Sequence, residues 1–314
     1  MSFSSLGPYH NLPSLHLTPY AQGIVSQYAT ALPWFCTVPT NLTNVTREHQ
    51  VVTITPVEDD VLIIGAHCQI DDGDNGQNVL LQVNDLKNGI FWSAPNAIFG
   101  TPATAYAGSK SNRISQVQLP EAYFLKAGTA LRHQWKTYGL ATGGTLTWIG
   151  LRLQNPIDGN SAEWAILPSG ERVKVGSRLP WFCTVGLGEE ISVLGSPAYV
   201  LGASNLFCGK TAVQDCDIEL TGLSANFFVQ SDATTTPADI LISLTDSGNS
   251  RSWQTSKAPS TSMLGSPQTW PVLPLYQPYK LRAGHSMKLA VHSNKSLAIN
   301  NAYVTFHGVR LCEF

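Results

Sequence analysis

The chain has 314 residues, 43% of them hydrophobic, so it is long enough to form two domains that each bury a core. Only 13% of the residues are charged, about half the share in an ordinary globular protein, and the net charge is −2. The sequence has no basic stripe that could neutralise phosphates, so nucleic acid is not an expected partner. A surface so poor in charge is typical of a subunit whose faces are covered by neighbours.

The N-terminal segment, residues 1–30, is polar, contains Pro and Ser, and has no hydrophobic period. We expect an arm that is either disordered or laid over a neighbouring subunit. The first eight residues lack the basic start and apolar stretch of a secretory signal, and no apolar run approaches the roughly 20 residues that span a bilayer. The sequence therefore predicts a protein made in the cytoplasm, with no signal peptide and no transmembrane segment.

An internal repeat begins directly after this arm. Leu32-Pro33-Trp34-Phe35-Cys36-Thr37-Val38 returns unchanged at 179–185, 147 positions later. Four further pairs of similar stretches follow in the same order: 83–85 with 244–246, 100–102 with 265–267, 123–128 with 279–284, and 148–153 with 306–311. An order that is kept while the offsets drift indicates a duplicated module with small loop insertions.

The repeat divides the chain into module one (31–155), a connection (156–177) and module two (178–314). Short, alternating, β-branched stretches predict strands at 51–55, 61–64, 79–83 and 131–135 in module one, and at 216–220, 226–229, 240–244 and 287–291 in module two. About eight short strands in ~130 residues are typical of a β-sandwich, here a jelly roll. The predicted fold is all-β: two tandem jelly-roll-like β-sandwich domains from an internal duplication, with an N-terminal arm.

Residues that recur at equivalent places in the repeat are expected to anchor the two cores. They are Trp34, Phe35, Cys36, Trp92 and Gly150 in module one, and Trp181, Phe182, Cys183, Trp253 and Gly308 in module two. Three tryptophans have no counterpart in the other copy and are the candidates for an exposed contact surface: Trp135, Trp164 and Trp270. Such a surface could contact another protein or stack on a sugar ring.

No spacing in the sequence points to a catalytic, cofactor-binding or metal site. A Gly-x-Ser-x-Gly elbow is absent, and the eight histidines are scattered. Residues 71–76 carry three aspartates but fail the spacing of a calcium loop, so a solvated turn is the simpler interpretation. Residues 208–211 end like a phosphate-binding loop but lack its first glycine. Cys208 and Cys216 could pair or bind metal, without the spacing of a zinc knuckle.

The motifs of module two resemble a module of tailed-bacteriophage virion proteins. The likeness lies in residues 241–246, 251–253, 264–265, 278–284 and 304–310. In that family an Asp-Arg-Trp turn, a loop that begins with Pro and ends with Gly, and a final strand with Gly and Arg close a β-sandwich. Module one fits less well, because Phe91-Trp92 follows Ile90 rather than an arginine. The paired modules are also similar to the double jelly-roll capsid proteins of tailless, membrane-containing viruses.

The resemblance implies a non-enzymatic virion structural protein that decorates or stabilises a capsid through repeated protein–protein contacts. Its implied partners are other virion proteins and further copies of the chain, without nucleic acid, membrane or cofactor. A tail, collar or double jelly-roll capsid role, and a tandem glycan-binding (lectin-like) module, are the alternatives. A hydrolase with a site between the sandwiches has the least support.

Overall fold

The computed structural model describes residues 16–40, 50–53, 58–72, 79–93, 100–107, 117–137, 141–186, 199–201, 207–210, 215–229, 240–255, 258–259, 272–293 and 297–312. Within these residues the chain is almost entirely β, with short helices at Pro19–Val25 (α1) and Ala103–Ala107 (α2). The predicted all-β class is confirmed. None of the helices in the described part of the chain is long and apolar enough to span a membrane.

Module one is a sandwich of two antiparallel sheets. Its strands are β1 (Tyr28–Thr40), β2 (Gln50–Thr53), β3 (Asp60–Asp72), β4 (Val79–Asp85), β5 (Ile90–Phe91), β6 (Thr101–Pro102), β7 (Val117–Leu125), β8 (Leu131–Thr137) and β9 (Ala141–Pro156). One sheet has the order β1-β9-β3-β7 and the other β2-β8-β4-β5, with β6 also pairing with β4. The core between the sheets contains four buried tryptophans, Trp34, Trp92, Trp135 and Trp148.

The connection forms a two-stranded hairpin of β10 (Trp164–Ile166) and β11 (Arg172–Lys174). Module two follows with β12 (Arg178–Gly186), β13 (Tyr199–Leu201), β14 (Phe207–Lys210), β15 (Asp217–Val229), β16 (Ile240–Asp246), β17 (Arg251–Ser252), β18 (Ala258–Pro259), β19 (Leu273–Leu281), β20 (Met287–Ser293) and β21 (Leu297–Leu311). Its sheets have the orders β12-β21-β15-β19 and β14-β20-β16-β17.

The two modules share one topology. With the short β6, β13 and β18 set aside, the strands of each module run 1-8-3-6 in one sheet and 2-7-4-5 in the other. This is the arrangement of an eight-stranded jelly roll, in which two antiparallel sheets enclose one core. The fold class predicted from the repeat is confirmed.

Specific hydrogen bonds also occur twice, which supports the duplication at the level of single atoms. A carboxylate oxygen at the start of the third strand accepts from a loop N–H at 2.8 Å in both modules, as Asp60 with Ala127 and as Asp217 with Ala283. At the end of the fourth strand a carboxylate accepts from a tyrosine hydroxyl, at 2.5 Å in module one and 2.7 Å in module two. The first pair ties the start of the third strand to the loop after the sixth strand, and the second ties the end of the fourth strand to the sixth strand.

A glycine in the last strand of each module permits a close approach to a bulge. β3 and β15 shift register at matching places, between Ile63 and Gly65 and between Leu220 and Gly222. A Cβ on Gly150 would lie 2.2 Å from the Leu62 carbonyl oxygen, and a Cβ on Gly308 would lie 2.8 Å from the Glu219 carbonyl oxygen. Both distances are far below van der Waals contact, and the obstacle is backbone in each module.

We predict that Gly150→Ala and Gly308→Ala both destabilise the protein, and that Gly150→Ala has the larger effect. Relief of the clash requires the bulged strand to move, which we expect to cost about 1–3 kcal/mol. Urea unfolding of the two variants measures the difference. Equal stabilities, or a larger effect at Gly308, would contradict the assignment of these glycines to a close approach.

The described part of the N-terminal segment, residues 16–30, is packed against its own chain, so the predicted arm is wrong there. Thr18 caps α1 by accepting from the Ala21 N–H, and Pro19 occupies the first turn. Tyr20, Ala21 and Ile24 are buried in a third hydrophobic cluster, against the first sheet of module one and the β10–β11 hairpin. The connection is therefore a packed hairpin rather than an open linker.

The structure revises two parts of the predicted repeat. Residues 216–220 and 226–229, predicted as two strands, belong to the single strand β15, which corresponds to β3. The match of 100–102 to 265–267 is also wrong: β18 pairs with β16 as β6 pairs with β4, whereas 265–267 lie outside the described residues. In a period-2 strand pattern a turn and a bulge look alike, because both interrupt the alternation.

Candidate functional site

The contact between the modules is made by the first strand of module two. In β12, Phe182 is 1% exposed and Leu179 is 4% exposed, and both belong to the hydrophobic cluster of module one. Trp181, between them in sequence, belongs to the cluster of module two. Side chains alternate along a strand, so Phe182 faces module one while its neighbours Trp181 and Cys183 face the core of module two.

The residues of module one that contact β12 lie between the end of β5 and α2. The Phe182 N–H donates to the Trp92 carbonyl at 2.9 Å, and the Phe182 ring lies 4.4 Å from the ring of Tyr106. The Ser93 hydroxyl lies 2.9 Å from that of Tyr106 and 3.0 Å from that of Thr101. Burial raises the pKa of Tyr106 to about 12, so its hydroxyl keeps its proton. We call Trp92, Ser93, Thr101 and Tyr106 socket one.

Polar groups extend the contact onto the neighbouring strand β21. The hydroxyls of Thr184 and Thr305 lie 3.1 Å apart, and Thr184 donates to Thr101 at 3.4 Å. The His307 ring meets the Phe182 ring at 5.2 Å and 75°, and is 2% exposed. The hydroxyls of this face are therefore hydrogen-bonded to one another and to Thr101 of module one. We call the face plug two: Phe182, Thr184, Thr305 and His307.

Module one carries the same face, but there its aromatic residue is exposed. Leu32 is 45% exposed and Phe35 is 64% exposed, although they are the repeat counterparts of the buried Leu179 and Phe182. The hydroxyls of Thr37 and Thr147 lie 3.1 Å apart, the distance seen in plug two, yet this pair is exposed. Ile149, opposite Phe35 on the neighbouring strand, is 8% exposed. We call the face plug one: Phe35, Thr37, Thr147 and Ile149.

The described part of module two also contains an uncovered counterpart of socket one. The backbone N–H of Trp253 donates to the Leu244 carbonyl, as that of Trp92 donates to the Val83 carbonyl. The Trp253 ring lies 4.9 Å from the Tyr279 ring, which matches the contact of Trp92 with Tyr123. Trp92 is fully buried, whereas Trp253 is only partly buried. We call Trp253 with the strand β18 socket two. Within the described residues, the chain thus has one buried plug and socket and a second plug and socket that are more exposed.

A buried ion pair fixes the orientation of the modules beside this contact. Arg178 donates to Glu121 of module one at 3.0 Å and to Glu219 of module two at 2.8 Å. The Glu121 side chain is 2% exposed and also accepts from the Thr18 hydroxyl and the Ala122 N–H. Burial opposes the charge on Arg178, but the two carboxylates together raise its pKa. This network ties α1 to both modules.

The network borders a cleft of about 1040 Å³ between the modules, α1 and the hairpin. Four carboxylates on its wall are held in ion pairs: Glu121 and Glu219 with Arg178, Asp217 with Lys280, and Asp215 with Arg310. Among the described residues, no group of three His, Cys, Asp or Glu side chains is placed to hold a metal ion. Glu171 also lies on the wall, so the cleft combines paired charges with a further carboxylate.

His307 makes the intermodule contact sensitive to pH. Burial lowers the pKa of His307 to about 3, and its Nε2 lies 2.7 Å from the Ser224 hydroxyl. Below pH 6.5 the unfolded chain binds a proton at this imidazole that the folded chain does not bind. Stability from this group is therefore complete above pH 6.5 and is lost as the pH falls towards 3.

We predict that His307→Ile, which introduces the residue present at Ile149 in plug one, removes part of the acid sensitivity of folding. Between pH 6 and pH 4 the wild-type free energy of unfolding should fall relative to the variant by up to about 1.4 kcal/mol per pH unit. Urea unfolding at several pH values measures this difference. His16→Asn, at an exposed position, is the control. Parallel pH profiles for wild type and His307→Ile would contradict the buried, neutral imidazole.

The structure places the predicted core residues in different environments. Trp34, Trp92, Trp181 and Cys183 are buried, Cys36 and Trp253 are partly buried, and Gly150 and Gly308 lie at the bulges. Burial raises the pKa of the Cys36 thiol. Phe35 is not a core residue, because 64% of it is exposed. Phe182 is buried between the modules rather than inside module two.

The three tryptophans predicted as a contact surface also separate. Trp135 is fully buried in the core of module one, so that prediction is wrong. Trp164 is 38% exposed on the hairpin, with the Arg172 guanidinium 5.3 Å from its ring centre. Trp270 lies outside the described residues. Sequence reasoning missed Tyr106, Glu121 and Arg178, none of which stands in a repeated motif that would have marked it.

No known protein family matches the sequence, and no curated protein matches it. Among solved structures, PNGF-II is similar with a TM-score of 0.33 and 9% identity, over 92% of this chain and 66% of that one. A CBM22-1-CBM22-2 tandem domain of Xyn10C from Paenibacillus barcinonensis is similar with a TM-score of 0.21 and 12% identity, over 91% and 92%. The CUB1-EGF-CUB2 domain of human MASP-1/3 has a TM-score of 0.22 and 9% identity, over 88% and 99%. Likenesses of this degree assign no activity to the chain.

Proposed function

We propose that the protein is a non-enzymatic structural subunit of a virion shell that assembles through repeated contacts between copies of itself. The observation that carries the proposal is the contrast between Phe35, 64% exposed, and its repeat counterpart Phe182, 1% exposed against Tyr106. The aromatic residue of this face is buried when it belongs to module two and exposed when it belongs to module one. A second copy of the chain supplies the missing cover.

The proposed contact places plug one of one chain in socket two of another. It repeats between chains the contact that plug two makes with socket one within a chain. Such a contact is heterologous, since two different surfaces meet, and it generates a ring when the rotation closes and a filament when it does not. The low charge of the sequence and the absence of a motif for catalysis agree with a role based on contacts.

The virion assignment draws on two further supports. Jelly rolls are a recurring architecture of viral capsid domains, although the fold alone does not define function. The sequence motifs of module two resemble those of virion proteins. Because the chain carries its own complementary surfaces, we favour a double jelly-roll shell component over a protein that only decorates a lattice made by others.

Sedimentation velocity combined with electron microscopy tests this proposal. Wild-type protein should form oligomers that grow with concentration, and Phe35→Asp should remain a monomer with an unchanged circular dichroism spectrum. Tyr276→Asp, at a fully exposed aromatic on β19 (107% exposed), is the control and should assemble as wild type does. A wild-type monomer at every concentration would refute the assembly role.

Glycan binding is the second candidate, favoured by one observation. Trp164 is an exposed aromatic on the hairpin, and its ring is positioned by Arg172. An exposed indole ring can stack on a sugar, because the large apolar face of the ring supplies the contact area. A glycan array that shows binding by wild type and none by Trp164→Ala would support this function. An array without hits would remove it.

A further inference from the structure

Two thiols face each other where β15 begins and β21 ends. Asp217 and Leu311 are the last directly opposed pair of these antiparallel strands, which places Cys216 opposite Cys312 one position further on. Burial, together with the nearby Cys216, raises the pKa of Cys312, and both residues are partly exposed. Cross-strand neighbours of this kind have Cβ atoms close to the separation that a disulfide requires.

A cation lies directly against one of the two sulfurs. The Arg310 Nε donates to the Cys216 Sγ at 3.0 Å, and a terminal nitrogen of the same guanidinium binds Asp215 at 3.1 Å. A positive charge beside a thiol favours the thiolate, which is the nucleophilic form. Burial raises the pKa of the Cys312 thiol, and Arg310 opposes that shift. Of the two sulfurs, Cys216 is the one in direct contact with this cation.

Module one has the same arrangement with different chemistry. There Asp59 and Gln154 occupy the two positions, and the Gln154 amide donates to the Asp59 carboxylate at 3.0 Å. Arg152 stands in the place of Arg310, with its Nε 3.5 Å from the same carboxylate. Two conclusions follow. Side chains at these positions reach each other in both modules, and Cys216 occupies the place of an anion.

We propose that Cys216 and Cys312 are an oxidisable dithiol that a small-molecule disulfide converts into an intramolecular bond joining β15 to β21. The Cys216 thiolate attacks one sulfur of the small disulfide and expels the first small thiolate. The Cys312 thiolate then attacks the Cys216 sulfur of the mixed disulfide and expels the second. Two protein thiols are oxidised, one disulfide is reduced to two thiols, and the two protons of the dithiol pass to the released thiolates.

The bond would close a loop that contains most of module two. A loop of this length strongly restricts the unfolded chain, so the oxidised protein should be the more stable form. Cys312 also packs against the cluster of module one, and its N–H donates to the Ser177 carbonyl at 2.8 Å. The bond would therefore hold the end of β21 beside the connection and the intermodule contact.

The test is incubation of the full-length chain with oxidised glutathione, followed by thiol titration in denaturant and a non-reducing peptide map. Two of the six thiols should disappear, one linked peptide should join Cys216 to Cys312, and the melting temperature should rise by about 5 °C or more. Cys216→Ser and Cys312→Ser should each abolish the linked peptide and the rise. Cys36→Ser, at a partly buried thiol elsewhere, should retain both.

Three results would overturn the proposal. The first is six titratable thiols after incubation. The second is a stable glutathione adduct on Cys216 without a linked peptide, which would show that Cys312 cannot reach the mixed disulfide. The third is a linked peptide that joins Cys216 to Cys208 instead.

Discussion

Phe182→Ala should lower the free energy of unfolding by about 3–5 kcal/mol, whereas Phe35→Ala should change the stability of the isolated chain by no more than about 0.5 kcal/mol. The two residues stand at the same place in an identical repeat of seven residues. Phe182 is enclosed by Tyr106 and His307 at the intermodule contact, so its removal leaves a cavity. Phe35 is 64% exposed, so its removal leaves none.

Urea unfolding below the concentration at which wild type associates gives both values. The pair controls for local sequence, because the flanking residues are the same in both copies. Similar losses at the two positions would show that plug one is covered within the chain, and they would contradict the proposed function. A small loss at Phe182 would contradict the packing of the two modules.

Arg178→Met should destabilise the chain by about 3–5 kcal/mol, because it leaves the Glu121 carboxylate buried without its cation. Glu121 is 2% exposed and cannot regain water unless the modules separate. Lys280→Met is the matched control. Lys280 is 62% exposed in its ion pair with Asp217, and the loss of such a pair should cost less than about 1 kcal/mol.

The double variant Arg178→Met, Glu121→Gln separates the two contributions. If the loss comes from the unpaired charge, the second substitution should restore much of the stability, since a neutral amide is less costly to bury than a carboxylate. A double variant less stable than Arg178→Met alone would place the main contribution of Glu121 elsewhere, in its bonds to Thr18 and Ala122.

The repeated motifs predicted most of the fold. Identical heptapeptides became the first strands of two jelly rolls, and the strand stretches near 80, 131, 240 and 287 became β4, β8, β16 and β20. Strand patterns are local, because alternation of side chains follows from backbone geometry. The duplication also indicated that the two modules share one topology, and the structure gives its strand order.

The burial of the repeated residues could not be predicted from either copy. Phe35 and Phe182 have the same neighbours in sequence, and only the docking of module two on module one distinguishes them. Trp135 was placed at the surface because module two has Val291 at the same position in its strand pairing, yet it fills the core of module one. A sequence repeat predicts the structure that the two copies share, but it does not predict how their surroundings differ.

The packing of residues 16–30 could have been predicted in part. Thr18 followed by Pro19 is a helix-start signal, and Tyr20, Ala21 and Ile24 lie on one face of the short helix that follows. A helix of seven residues is too short to show a period, and its stability comes from the surface on which it packs. That surface includes the hairpin of the connection, which the sequence does not place next to it.

A cross-link between copies would show directly whether plug one of one chain contacts socket two of another. The cysteines are introduced as Thr37→Cys on plug one and Ala258→Cys on β18. These positions are the repeat counterparts of Thr184 and Thr101, which are in contact within the chain. Mixing isotopically light and heavy chains, oxidising them and mapping the peptides shows which positions join and whether the link lies between chains. If plug one of one chain lies in socket two of another, links between a light and a heavy chain should join positions 37 and 258. Links only between 37 and 37, or no link in assembled protein, would contradict this contact.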